Sequence, residues 1–263
     1  YVTSSSFYSL LVVDTTLYVG GAFSSINSMN REDVASFNLN DKTLTSWSPT
    51  TGWAFSTSQG VRTIKEHNNI LYIGGRFSSV NGVSRNLLAS FNTSNGNLTN
   101  WEPNIYSNTH PIIYDIEVTD STVYTGGNIS TINGVSRDNF GKLHSINNTL
   151  KNWSPNPNDQ VFALSKNEDK LYIGGQFTSF DNQSRQSLAE VNLHNNTLTN
   201  WTCDVNGKIL KLKASKNKLI VCGEYDRINN KGRGNFTVLI DTCGYPEIPV
   251  ISSSDNNICA NTT

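Results

Sequence analysis

The stretch Leu71-Tyr72-Ile73-Gly74-Gly75-Arg76-Phe77-Ser78-Ser79-Val80-Asn81-Gly82 decides how the rest of the chain is read, because it recurs. Its Gly-Gly pair has counterparts at Gly20–Gly21, Gly126–Gly127 and Gly174–Gly175, and a fifth copy is degraded to Cys222–Gly223. In the first four copies a Trp follows at one constant interval after the first glycine, at Trp47, Trp101, Trp153 and Trp201. In all five, a short alternating apolar run begins at a second constant interval ahead of the pair: Phe7–Leu10, Val61–Ile64, Ile113–Ile116, Val161–Leu164 and Ile209–Leu212. Each unit thus has a body of fixed length, with bodies beginning near 7, 61, 113, 161 and 209, and length varies only in the connection after the Trp. Self-similarity at such a period marks a repeat architecture.

Inside a unit the apolar runs are short. Leu71–Gly75 is followed by Leu87–Asn92 and by Asn97–Trp101, with Asn-Gly at Asn81–Gly82, Asn95–Gly96 and Asn133–Gly134 where tight connections demand positive φ. No window has helical spacing longer than about ten residues. Four short antiparallel strands per unit, five times over, predict an all-β fold: a five-bladed β-propeller of four-stranded blades over residues 1–243, with 244–263 a linker or the start of a following module. Glycine in the second strand lets neighbouring backbone approach closely, and the recurrent Trp fills space between blades. The fourth-strand slot of the last blade reads Pro246-Glu247-Ile248-Pro249, where two prolines remove ladder donors, so Tyr1–Ser6, or sequence once preceding it, is expected to supply that strand instead.

Two polar features also recur. Arg31, Arg85, Arg137, Arg185 and Arg233 each lie at the same offset from the first residue of the pair. A ring of arginines could hold an anion, but a feature present in every unit more often serves the unit, here by bonding loop carbonyls at the start of strand three. Asn27, Asn81, Asn133, Asp181 and Asn229 similarly suit the turn between strands two and three.

Composition narrows the partners. The net charge is −1, only 16% of residues are charged, and 36 Asn, 31 Ser and 25 Thr make a neutral hydrogen-bonding surface, which argues against nucleic acid. The longest apolar runs fall far short of the roughly 18 residues of a membrane span, and Tyr1 has no signal segment ahead of it, so the expectation is a soluble chain, processed or excised from something longer. The four histidines, His67, His110, His144 and His194, occupy unrelated offsets, and no nucleophile elbow, phosphate loop or paired-His motif is present. No enzyme, cofactor or metal is expected.

All four cysteines, Cys203, Cys222, Cys243 and Cys259, lie in the last quarter. An even number in this composition suits an oxidising compartment, although four allow three pairings. A disulfide from Cys203 to Cys222 across one rim, leaving Cys243 and Cys259 to clip the tail, is weighed against four free thiols.

Recognition is expected where the repeat breaks its own rule. The longer connections after the first and second Trp contain Trp53 and Phe55, and Tyr106 and His110. Aromatic rings on polar loops can stack on sugars or anchor a protein partner, against the plainer reading that they cap the channel. Two functions follow: a surface module binding a glycan or a protein, or a structural bead of a stalk or filament that carries glycans or packs on copies of itself.

The quoted stretch, with Leu88-Ala89 and Asn100-Trp101-Glu102-Pro103-Asn104, resembles the delta-sixty-type propeller repeat of secreted bacterial proteins and the Rax-two-like fungal cell-surface proteins, over residues 7–240. That resemblance implies an extracellular or cell-surface, multidomain protein without implying a reaction. Pro249-Val250-Ile251-Ser252 and Asn257-Ile258-Cys259 resemble the opening of an immunoglobulin-like module of Bacteroidetes adhesins, which implies a partner for Cys259 beyond Thr263. The same phylum's O-glycan pattern is similar to Asp14-Thr15-Thr16 and Asp120-Ser121-Thr122, marking Thr15 and Ser121. Ten Asn-x-Ser/Thr sites, among them Asn92, Asn97, Asn147 and Asn195, barely exceed the roughly eight that composition alone gives.

Overall fold

A computed structural model of the chain describes residues 6–52 and 60–240, and the backbone of 250–251. Each repeat folds as an antiparallel meander. Repeat one comprises Ser6–Val13, Thr16–Ala22, Val34–Asn38 and Thr43–Leu44; repeat four comprises Val161–Asn167, Lys170–Gly175, Leu188–Asn192 and Thr197–Leu198. Repeats two (Gly60–His67, Ile70–Arg76, Leu88–Asn92) and three (Ile112–Thr119, Thr122–Asn128, Phe140–His144) have three strands, and single bridges, Phe91 to Leu98 and Leu143 to Leu150, stand in the fourth place. Repeat five comprises Lys208–Ser215, Lys218–Glu224, Phe236–Ile240 and Val250–Ile251.

The turns follow from residues that tolerate left-handed backbone. Asn27, Asn81, Asn133, Asp181 and Asn229 have φ of 50, 52, 50, 52 and 48° in the hairpin after strand two. The side-chain oxygens of Asn81, Asn133 and Asn229 also accept the backbone N–H groups of Thr50, Asn104 and Asp204, which ties each hairpin to the preceding connection.

The core lies between repeats rather than within them. A Cβ added to Gly20, Gly74, Gly126 or Gly174 would meet Val61, Ile113, Val161 or Ile209 of the next repeat at 2.8, 2.8, 2.5 and 2.5 Å. The glycine of one repeat is therefore the seat for the first apolar residue of the next, and all four of those residues are fully buried. Polar bonds run alongside. Ile64 N–H donates to Ser9 Oγ at 3.1 Å, Ala214 N–H donates to Ser165 Oγ at 2.8 Å, and the buried Asp115 carboxylate accepts from Thr63 Oγ1 at 2.8 Å and Leu164 N at 3.0 Å.

In every first strand the pairing skips one residue: Tyr8, Arg62, Tyr114, Phe162 and Leu210. These bulged residues line one axial cavity of about 260 Å³ together with Lys211. The Arg62 guanidinium lies 3.9 Å from the centre of the Tyr8 ring, and Tyr114 and Phe162 meet edge to face at 4.8 Å.

Two expectations change. Ser6 pairs with Ala22 in repeat one instead of joining repeat five, and Tyr1–Ser5 lie outside the described residues. The fourth place in repeat five is taken by Val250 and Ile251, opposite Ile240 and Leu239: beyond Pro249, the next two β-branched residues can again donate to a ladder. Second, no disulfide joins Cys203 to Cys222. Cys203 packs as a small hydrophobe in the cluster of Tyr172, Val205 and Tyr225, where burial, and then the Asp204 charge, push its thiol up to about 12. Cys243 and Cys259 lie outside the described residues.

Candidate functional site

The longer connections do reach the rim that carries the strand two to three hairpins. Thr51–Gly52 pairs with Ser79–Val80, and Ile105–Tyr106 pairs with Thr131–Ile132, so each connection adds a short strand to a hairpin of the repeat it enters. Trp53 and Phe55 lie outside the described residues. Tyr106 is 56% exposed on a loop held from beneath: Ser107 Oγ donates to Asn128 Oδ1 at 3.1 Å, Asn128 Nδ2 donates to Thr109 O at 2.6 Å, and Ser130 N donates to Tyr106 O at 2.8 Å. His110 is exposed at φ 47°, where the loop bends back toward the inner strand.

The repeating residues sit at seams. Trp47 Nε1 donates to Gly96 O at 3.2 Å and Trp101 Nε1 to His144 O at 3.0 Å, each reaching the next repeat, with Tyr18 and Tyr72 edge-on to the indoles. Trp153 packs against Phe140 and Trp201 against Tyr172. Arg31, Arg85 and Arg185 each donate to the preceding residue's carbonyl and, at 2.8 Å, to Thr45 O, Thr99 O and Thr199 O. Arg137 and Arg233 donate to Ser136 O and Gly232 O. These guanidinium groups are bonded to carbonyls of their own repeats.

Each of the first two seams opens into a cleft, the second of them on the rim opposite the strand two to three hairpins. The cleft between repeats one and two, about 500 Å³, is walled by Tyr18, Trp47 and Asn92–Gly96. Its counterpart between repeats two and three, about 450 Å³, has Tyr72 and Trp101 at its base and His67, Asn68, Asp120, Ile146 and Asn147 around its mouth. His67, the last residue of its strand, lies 2.6 Å from the Asp120 carboxylate in the strand one to two turn of the next repeat, and Asn68 Nδ2 donates to the same oxygen at 3.2 Å. The bonds from His67 and then Asn68 hold the Asp120 carboxyl below its ordinary value. Burial alone pushes the Tyr72 phenol up to about 12, and its hydroxyl donates to Ser145 O at 3.2 Å. Ile146, 78% exposed, adds an apolar lip. The cleft thus offers amide and carboxylate groups at its mouth over an aromatic base.

Sequence reasoning missed this cleft because it read Asp120 as part of an acceptor pattern and His67 as one of four histidines at unrelated offsets. The signal was the repeat frame: turn residues of consecutive repeats become neighbours across a seam. Of the glycan acceptor positions, Thr15, Asn97, Ser121, Asn147 and Asn195 are exposed, while Asn92 is half-buried and its side chain accepts from Ser94 N and Oγ. Among the described residues, no three His, Cys, Asp or Glu side chains gather as a metal set, and no helix is long and apolar enough to cross a membrane.

Residues 68–98 match the family model described as a domain of unknown function (DUF5122) beta-propeller. No curated protein matches the chain. Among solved structures it is similar to a chain of the mitotic checkpoint complex, with 12% identity and a TM-score of 0.58 over 91% of this chain and 62% of that one. It is also similar to the computationally designed Ika8 protein, at 10% identity and a TM-score of 0.53 over 91% and 59%. A third likeness is to an extracellular domain from B. thetaiotaomicron, at 14% identity and a TM-score of 0.50 over 90% and 28%. The chain is therefore all-β with a propeller-like fold, and it spans less than two thirds of the length of these three chains.

Proposed function

We propose that the chain is a recognition module of an extracellular or cell-surface protein, a propeller of five repeats, and that it binds glycan in the cleft between repeats two and three. The observation that carries this reading is the His67–Asp120–Asn68 cluster set over Tyr72 and Trp101. A sugar ring presents hydroxyl groups that pair with carboxylate and amide side chains, and an apolar face that rests on aromatic or aliphatic surface. The corresponding cleft between repeats one and two has a Trp and a Tyr but no charged side chain in its walls. An extracellular domain among the structural neighbours is compatible with this placement. Catalysis, metal and cofactor have no part in the reading, and neither nucleic acid nor a bilayer is the partner.

Tyr106 favours a second reading, in which a protein partner docks on the opposite rim, because a large ring held out on a hydrogen-bonded loop is a ready anchor. A glycosylated structural bead would instead carry sugar at Asn147, at the mouth of the cleft.

A glycan array probed with the chain and with its Asp120→Ala, Tyr106→Ala and Trp53→Ala variants separates these readings. Binding lost in Asp120→Ala alone supports the cleft, and binding lost in Tyr106→Ala or Trp53→Ala moves the site to the other rim. Binding by none, with sugar found on Asn147 of the secreted chain, leaves the bead.

A further inference from the structure

The four seams between consecutive repeats share one construction, and repeat one carries half of a fifth. Residues Val61, Ile113, Val161 and Ile209 sit on the preceding repeat's glycine with none of their surface exposed; Phe7, in the same place in repeat one, is 58% exposed. Further along the strand, Ile64, Ile116 and Leu164 are 2% exposed or less, and Leu10, their counterpart, is 67% exposed. Further still, Val118 and Ala214 are buried while Val12 is 56% exposed. Phe7, Leu10 and Val12 therefore form an apolar face whose counterparts in later repeats are buried, or half-buried at Leu212, Glu66 and Lys166.

Repeat five is a poor cover. Where Gly20, Gly74, Gly126 and Gly174 leave no room even for a Cβ, repeat five has Cys222, and the residue it would have to seat is Phe7, larger than any Val or Ile seated elsewhere. The seam is blocked at that point. In agreement, Phe236 is 42% exposed, whereas Val34, Leu88, Phe140 and Leu188 in the same place are at most 1% exposed, and no apolar cluster among the described residues spans repeats five and one. Chains of the same fold that superpose on nine-tenths of this one extend well beyond it.

We propose that the Phe7–Leu10–Val12 face is a docking surface for a further repeat of this same type, one with glycine where repeat five has Cys222. The interface it would make continues the four already present: its glycine strand would lie over Phe7 and Leu10 as Gly20 lies over Val61 and Ile64. The face is distinct from both rims, so the proposal does not depend on the glycan cleft.

The test supplies that repeat in trans. A probe chain combines Cys222→Gly, which gives repeat five a true Gly-Gly strand, with Leu10→Asp, which prevents the probe from covering its own face or that of another probe. Analytical ultracentrifugation of the probe mixed with the unaltered chain should show a 1:1 complex, weakened at least about tenfold when the target also carries Leu10→Asp. Because Phe7 is bulky, a Phe7→Val target is run beside it and should bind at least as well. Each chain is first checked for a cooperative melt, and Leu10→Ser replaces Leu10→Asp in any chain that lacks one. Absence of a complex with both targets overturns the proposal, and so does a complex that is indifferent to Leu10→Asp in the target.

Discussion

Phe140 and Phe236 hold the same place in repeats three and five, at one shared interval after the first residue of the Gly-Gly or Cys-Gly pair, yet Phe140 is 1% exposed and Phe236 is 42% exposed. Repeat three has a neighbour on each face. Its Asp115 bonds to repeat two on one side and repeat four on the other, its Gly126 seats Val161, and its Ile113 sits on Gly74. In repeat five, Lys208, Leu210 and Lys211 of the first strand are exposed, and Cys222 replaces the seating glycine. Burial in such a chain belongs to the seam more than to the residue, as expected where stability is a sum over nearest neighbours.

The largest expected break in that comparison is at the phenylalanines themselves. Phe140→Ala should lower the unfolding free energy by about 3–5 kcal/mol, and Phe236→Ala by less than about 1 kcal/mol, in urea titrations of the two variants. Equal losses would mean that repeat five is covered in solution. Next come the polar links. Asp115→Ala removes the acceptor of Thr63 Oγ1, Leu164 N and Ile116 N and should cost about 2–4 kcal/mol, while Ser165→Ala removes one bond, from Ala214 N, and should cost about 1 kcal/mol. Glycine substitutions sharpen the same contrast: Gly126→Ala, whose Cβ would meet Val161 at 2.5 Å, should cost about 1–3 kcal/mol, and Gly232→Ala, with nothing within 4 Å, should change the melting midpoint little.

The smallest effect concerns pH. The Asp120 carboxyl is held below its ordinary value of 3.8, so its contribution to folding is present above that value and is lost as pH falls through the lower, folded-state value. The carboxyl is solvent-exposed, so the effect is best read locally. Carbon-detected NMR should find Asp120 titrating below ordinary carboxyls, and moving up toward them in His67→Ala.

Much of this arrangement was legible in the sequence, because a fixed spacing places the counterparts of Gly74, Leu88 and Trp101 at the same height in each of the first four repeats whatever the fold's details. The seam chemistry was harder to see. That Asp115 faces both Thr63 and Leu164, or that His67 meets Asp120, depends on which strands of different repeats lie side by side, and the local patterns around those residues carry no trace of it. Closure was misjudged for a related reason: two prolines showed where a strand could not run but not where it would resume, at Val250 and Ile251. Of the rim residues singled out, Tyr106 and His110 are both exposed on one loop, and that exposure could not be deduced from an aromatic ring in a polar segment alone.

The skipped residue in each inner strand has a consequence for how such a chain can change. Tyr8, Arg62, Tyr114, Phe162 and Leu210 are left out of the ladder and turn to the axis, while their neighbours on either side carry the seams. The lining of the axis and the seating of one repeat on the next are therefore written in different letters of the same strand. Those five side chains can be exchanged, by selection or by design, at the cost of the ring contacts of Arg62 with Tyr8 and of Tyr114 with Phe162, while the glycine seats that hold one repeat to the next stay as they are.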